Sequence, residues 1–259
     1  MIPFEISQFD LYRALLLMFR TGAFLTTIPV FGHVSVPRIV RIWLILTLTV
    51  LMFPSAAVAA DRMPSTTLGL MIVILSELVV GFLMGFTVVA FFSAVQFAGH
   101  LIGLEMGLAV ANIFDPMSAG QISVIGEFYY LLSLLIFLLI NGHHYALETL
   151  IRSFELVPLG GAVFEQDIGR FLTNLTAMVF TLAIKLSAPV VITLLIVNVV
   201  LGILSRTVPQ MNVFIVGFPL SIGVGLAVIG ISLPVFKMVI EKAILGLQGE
   251  MYTVLRMLR

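Results

Sequence analysis

His144 and Glu148 stand four residues apart, the spacing that brings two metal ligands onto one face of a helix. His143, the next residue back, points about 100° away from His144 on such a helix and does not join them. A protein metal site takes three or four ligands, and His33 and His100 have no partner at ligand spacing. The pair therefore reads as polar residues at a helix end near a membrane interface, and no metal site is predicted. The chain has no cysteine, which excludes disulfides, thiolate metal sites and cysteine nucleophiles. It holds no H-E-x-x-H, no G-x-S-x-G and no G-x-x-x-x-G-K-[ST]. The sequence thus predicts no enzyme, no cofactor and no nucleotide-hydrolysing centre.

The remaining chemistry-bearing residues are charges within apolar surroundings: Arg13, Arg20, Glu77, Glu105, Glu127 and Lys185. Each would cost about 2.5–3.5 kcal/mol facing lipid, so each must face protein or water. A proton or ion relay is one use for them. A structural ion pair, or a charge at a wet subunit interface, is the reading preferred here, because no repeated charged motif or alternation of carboxylates accompanies them. Glu127 and Glu77 are the two candidate partners of Lys185.

The elements that position these residues are set by composition. The 259 residues are 61% hydrophobic and 10% charged, with a mean hydropathy of +1.20. Soluble domains are about 45–50% apolar and about 25% charged, so a soluble globular enzyme and a disordered chain are both excluded. Thirteen basic residues balance thirteen acidic ones, which leaves no surplus to neutralise phosphates and argues against nucleic-acid binding. The reading is an integral membrane protein. Glu5 and Asp10 precede the first basic residue, Arg13, so the first apolar stretch is expected to be retained, not cleaved as a signal peptide.

Apolar blocks fall at Leu11–Phe31, Ile42–Ala60, Leu68–Ala111, Ile122–Leu147, Phe171–Leu204 and Val213–Phe236, separated by turn chemistry such as Gly32–Pro37, Asp61–Ser65, Asp115–Gly120 and Pro158–Gly161. They are too long and too uniformly apolar for the alternation of a barrel. The fold expected is all-α, with about six long, partly kinked apolar helices forming hairpins. Leu68–Ala111 is anomalous. At about 1.5 Å per residue it would make a helix of roughly 66 Å, against a hydrocarbon core of about 30 Å; it must fold back, tilt strongly or run beyond the bilayer. With six spans, Arg62, Arg152, Arg170, Lys237, Lys242, Arg256 and Arg259 share the side of the termini, against Arg38, Arg41 and Arg206, which predicts cytoplasmic termini.

Two features of the long block concern packing and function. Gly81 and Gly85 form one G-x-x-x-G, and Gly99, Gly103 and Gly107 an extended second one. Small residues on one face let another helix approach closely, either within one bundle, the reading favoured by spacing, or from another subunit. Replacing Gly103 by leucine is expected to impair assembly. The stretch Met106–Gln121 then runs apolar, breaks at Asp115-Pro116 and holds no lysine or arginine. Solvated loops are not built this way. Irregular backbone at membrane depth is tolerated only where protein or a water path surrounds it, and hydrophobic constrictions gate pores by excluding water. The residues leave two readings open, a re-entrant packing loop and a flexible block in a pore.

Several pieces of the chain, in order, carry a resemblance: Pro29-Val30-Phe31-Gly32, Gly103-Leu104-Glu105-Met106-Gly107-Leu108, Asp115-Pro116, Asn141-Gly142-His143, Leu156-Val157-Pro158-Leu159-Gly160, Ala188-Pro189-Val190-Val191-Ile192, and the long run Val208-Pro209-Gln210-Met211-Asn212-Val213-Phe214-Ile215-Val216-Gly217-Phe218-Pro219-Leu220. Together they resemble the FliR family of the flagellar type III protein-export apparatus, over Phe9 to about Phe236. The resemblance implies a core subunit of the export gate that forms a channel with FliP and FliQ, works beside FlhB and FlhA in the bacterial inner membrane within the flagellar basal body, and passes unfolded flagellar proteins. It implies a single membrane-embedded domain with a FliP-like part at 1–165 and a FliQ-like hairpin and tail at 166–259, the hairpin marked by Pro189, Pro209, Gln210 and Asn212. It implies kinked helices, in keeping with Pro189, Pro219 and Pro234, and helices drawn out of the simple bilayer plane, which puts the six-span count in question.

By the same resemblance the loop 107–121 plugs the closed channel, with Met106 and Gly107 at its root, Val110, Ile113, Phe114 and Met117 as its apolar seal, and Asp115-Pro116 setting its bend. The family often has aromatics where this chain has Val110 and Ile113, which puts stacking in question here but not hydrophobic sealing. Energy would come from the proton motive force and an ATPase on other subunits. The equivalent injectisome subunit and a small-molecule secondary transporter are the alternatives; no convincing repeat relates Leu11–Ala111 to Ile122–Phe236, as a transporter of inverted halves would show.

Overall fold

A computed structural model describes residues 7–54, 66–108, 123–164, 167–208 and 212–259. Among them the extended regular elements are all helices, with no strand. Its helices are α1 (Gln8–Thr27), α2 (Pro29–Gly32), α3 (Arg38–Met52), α4 (Thr67–Glu105), α5 (Val124–Leu139), α6 (Gly142–Leu156), α7 (Asp167–Thr207) and α8 (Val213–Met257).

Local chemistry sets most of the boundaries. Ser7 caps α1 by accepting from the Asp10 amide at 3.1 Å, while the Asp10 carboxylate accepts from the Ser7 amide, a reciprocal capping box. Ile28 turns extended ahead of Pro29, ending α1, and the proline opens α2. Arg41 on α3 folds back and donates to the carbonyls of Phe31, Gly32 and His33 at 3.0–3.1 Å, so the exposed carbonyls at the end of α2 are satisfied by a cation. Ser123 caps α5 through the Gly126 amide at 3.1 Å. Asn141 takes the left-handed conformation (φ 60°) and divides α5 from α6.

Among the described residues three helices, α4, α7 and α8, are long and apolar enough to cross a membrane, and the bent pair α5–α6 would count as a fourth. Among the described residues the six apolar blocks therefore do not yield six helices that each pass as a span by length and composition. Ile122–Leu147 is broken at Asn141, α1 carries Arg13 and Arg20, and α3, at 15 residues, reaches about 22 Å, short of a hydrocarbon core of about 30 Å. The block expected to fold back, tilt or overrun is one helix of 39 residues without proline, apolar all round as a buried or membrane helix must be. Pro189 lies inside α7, and Pro219 and Pro234 inside α8.

The chain forms two compact units, interleaved in sequence. One comprises Met1–Ala90, Asn141–Leu175 and Ile244–Arg259; the other comprises Phe91–Ile140 and Thr176–Ala243. In the first, Leu16, Leu17, Phe24 and Leu25 of α1, Val80 and Met84 of α4, Leu150 and Phe154 of α6, Val254 and Leu255 of α8 and Leu258 just beyond it are buried. In the second, Phe92 of α4 meets Tyr130 and Phe137 of α5 edge-on at 5.6 and 5.7 Å, and the Tyr129 ring lies tilted against Phe236 of α8 at 4.6 Å. Such aromatic pairs add about 0.5–1.5 kcal/mol each beyond burial.

Candidate functional site

The root of the segment singled out as a plug is built by the end of α4. Gly107 has φ +78°, and its amide donates to the Leu104 carbonyl at 3.0 Å while the Leu108 amide donates to Gly103 at 3.0 Å. These are the two bonds of a Schellman motif, which stops the helix and turns the chain away. Met106, fully buried, sits against Gly225 of α8: a Cβ there would lie 2.8 Å from the Met106 Cγ. A Cβ on Gly107 would lie 2.5 Å from the Phe218 ring. The end of α4 is thus held on α8 by two contacts that each need a glycine. Beside it opens a cleft of about 450 Å³ bounded by Glu105, Asn198, Leu201, Phe218 and Ser221 among others. Val110, Ile113, Phe114, Asp115, Pro116 and Met117 lie outside the described residues.

Replacing Gly107 by alanine should cost about 1–2 kcal/mol from the left-handed backbone alone, with displacement of Phe218 added. The expected result is a lower thermal unfolding midpoint in detergent for Gly107→Ala, with Gly107→Asn falling between it and the parent because asparagine tolerates this conformation.

The glycine stripe meets four different neighbours. In the first unit a Cβ on Gly81 would run into the Arg20 carbonyl of α1, and one on Gly85 would lie 2.7 Å from the Thr27 Cβ. In the second unit a Cβ on Gly99 would lie 2.5 Å from the Gly126 Cα of α5, whereas one on Gly103 would meet only the Ser123 hydroxyl at 3.0 Å. Pro189 of the hairpin residues is inside α7, Asn212 directly precedes α8, and Pro209 and Gln210 lie outside the described residues. The Leu201 side chain is 3.4 Å from where a Cβ on Gly217 would stand, so α7 and α8 pack together near their connection.

Sequence reasoning missed the main polar feature of the first unit. Arg20 and Glu77, both completely buried, form an ion pair at 2.5 Å. Arg20 also donates to the carbonyls of Ser153 and Val157 at 3.0 and 2.8 Å, and its guanidinium lies 4.9 Å from the Phe154 ring. The other Glu77 oxygen accepts from the Gly160 amide at 2.8 Å, with Gly160 at φ +74°. So the Leu156–Gly160 motif wraps around the pair. A signal was present: Glu77, Gly81 and Gly85 recur every four residues, placing the carboxylate on the glycine face that approaches α1 at Arg20. Glu77 is therefore not the partner of Lys185, which is exposed and joins no ion pair among the described residues; neither does Glu127. The His143 and His144 rings lie 4.2 Å apart, but Glu148 is engaged by Arg152 at 2.7 Å and by Gln248 at 3.4 Å.

Residues 11–247 match the family model described as bacterial export proteins, family 1. The chain is 36% identical over 241 residues to the flagellar biosynthetic protein FliR of Bacillus subtilis (strain 168), covering 91% of this chain and 92% of that one. It is 34% identical over 229 residues to the protein of the same name from Aquifex aeolicus (strain VF5), covering 88% of each, and 32% identical over 217 residues to that of Escherichia coli (strain K12), covering 84% and 82%. With apolar helices able to span a membrane, a glycine-dependent end to α4 and a match along nearly its whole length, the chain belongs to the FliR family of bacterial flagellar export proteins.

Proposed function

We propose that the chain is a core subunit of the flagellar type III export gate in the bacterial inner membrane, and that it forms the channel with FliP and FliQ through which unfolded flagellar proteins pass. FlhB and FlhA are its further partners in the basal body. Residues 1–165 act as the FliP-like part and 166–259 as the FliQ-like hairpin and tail. The chain works as a transport component and not as an enzyme.

The observation that carries this reading is the way α4 ends. A Schellman motif at Gly107, anchored on α8 through Met106 and Gly225, delivers the chain into an apolar segment without a single lysine or arginine. A segment of that composition seals against water and ions, and an anchored root lets it return to one resting place after each substrate. Gating is passive: the loop 107–121 blocks the channel at rest and moves aside when an unfolded chain arrives, the energy being supplied by other subunits. Deleting Ala109–Ala119 should leave the complex assembled and make the membrane leaky. Ion flux into vesicles bearing the purified complex measures this, and an unchanged flux through a normally assembled complex would remove the plug from the account.

A further inference from the structure

Glu105 is the last residue of α4, half-buried, and it borders two clefts of the second unit, of about 450 and 300 Å³. The walls are otherwise mostly apolar, formed by Leu104 and Phe218 on one side and by Val191 and Ile192 on the other. Among the described residues the carboxylate has one hydrogen bond, from the Asn198 side-chain amide at 3.4 Å, and no ion pair. That distance is beyond the usual range for such a bond. The stretch that follows, 109–122, contains no lysine or arginine. A carboxylate at a helix C-terminus also lies at the negative end of the helix dipole. Glu77 is compensated by a cation of its own chain, and among the described residues Glu105 is not.

We infer that Glu105 receives the lysine or arginine of a helix contributed by another polypeptide of the gate; the inference rests on the reading of the chain as a gate subunit. The chemistry of the surroundings selects this occupant. Leu104 and Ile192, next to the carboxylate, are 47% and 59% exposed, and Leu195 and Val199 beside Asn198 are exposed as well. Such a surface is left uncovered only toward lipid or another protein, and acyl chains cannot satisfy a carboxylate. A cation on a long aliphatic stem meets both demands: the stem lies along the apolar wall and the charged head reaches the carboxylate. Asn198, presenting its amide on the same apolar surface, contributes a second polar contact for the incoming helix.

The test uses the whole complex, purified in mild detergent from cells expressing the chain with the other export subunits and weighed by native mass spectrometry. Glu105→Lys should lower the yield of complex at least about tenfold, because it sets two cations against each other, and Glu105→Gln should lower it less. A photo-crosslinker at position 198 should join a different subunit within one helical turn of a lysine or arginine, and changing that residue to glutamate should restore the complex in the Glu105→Lys background. A parent complex that forms while Glu105→Lys forms equally well overturns the pairing and leaves the gate reading standing. Crosslinks only to phospholipid, or only within the chain, overturn it in favour of an amine headgroup or no occupant. A parent chain that recovers no other subunit overturns the gate reading, and the pairing with it.

Discussion

Truncating Glu77 to alanine should all but remove the protein from the membrane, and Arg20→Ala should do the same. Breaking a buried ion pair by deleting one partner costs about 3–5 kcal/mol, since the other charge is left uncompensated, and whole domains are stable by only about 5–15 kcal/mol. Both side chains here are completely buried. The two losses differ in kind. Without Glu77, Arg20 keeps the Ser153 and Val157 carbonyls but loses its counter-charge, and the Gly160 amide loses its acceptor. Without Arg20, those two carbonyls and the carboxylate are stranded together.

A charge swap, Arg20→Glu with Glu77→Arg, should not rescue either single variant. The new glutamate would face two carbonyl oxygens, and the new arginine would face the Gly160 amide, a donor against a donor. Immunoblot of membrane fractions and thermal unfolding in detergent measure these effects. Glu77→Gln separates structure from proton traffic: its one carbonyl oxygen still accepts from the Gly160 amide, while the charge and the acceptor for the Arg20 Nε are lost. If the pair is structural, any Glu77→Gln protein that accumulates exports substrate at the rate its abundance predicts. A fully abundant Glu77→Gln protein with no export would instead mark a proton relay.

Helix type was legible in the residues, whereas several boundaries rest on short-range chemistry that the limits of the apolar blocks did not mark. Ser7 and Asp10, Pro29 and Ser123 each act within one turn of themselves. Asn141 acts locally too, yet it was hidden: Ile122–Leu147 is apolar on both sides of it, and hydropathy carries no trace of a left-handed residue. The span count was open for a related reason, since apolar length measures what can sit in lipid and not where a helix bends. Arg20 and Glu77 are 57 positions apart, and no periodicity within either segment identifies the other; only the glycine face shared by Glu77, Gly81 and Gly85 hints at close approach. The family, by contrast, could be read from the order of short motifs, and the match over residues 11–247 agrees with it.

Among the stripe glycines, alanine at Gly81 and at Gly99 should be the most damaging, and alanine at Gly103 mild. The sequence singled out Gly103, but the severity depends on what the added methyl meets. At Gly103 it meets a hydroxyl, which can rotate; Ser123 then loses its cap on α5, worth about 1 kcal/mol. At Gly99 it meets the Cα and amide nitrogen of Gly126 at 2.5 and 2.6 Å, together with the Ile125 carbonyl at 2.7 Å. Backbone cannot move aside without separating α4 from α5, and the Phe92, Tyr130 and Phe137 rings that fill the same interface would separate with it. At Gly81 the methyl runs into the Arg20 carbonyl, and any retreat of α1 pulls Arg20 from Glu77. Overpacking of a core costs about 1–3 kcal/mol where side chains can adjust, so these two positions should reach or exceed the upper end. Thermal midpoints in detergent should therefore fall for Gly81→Ala and Gly99→Ala by clearly more than for Gly103→Ala. Equal shifts at all three would mean that α4 meets its neighbours less closely than the backbone contacts at Gly81 and Gly99 require.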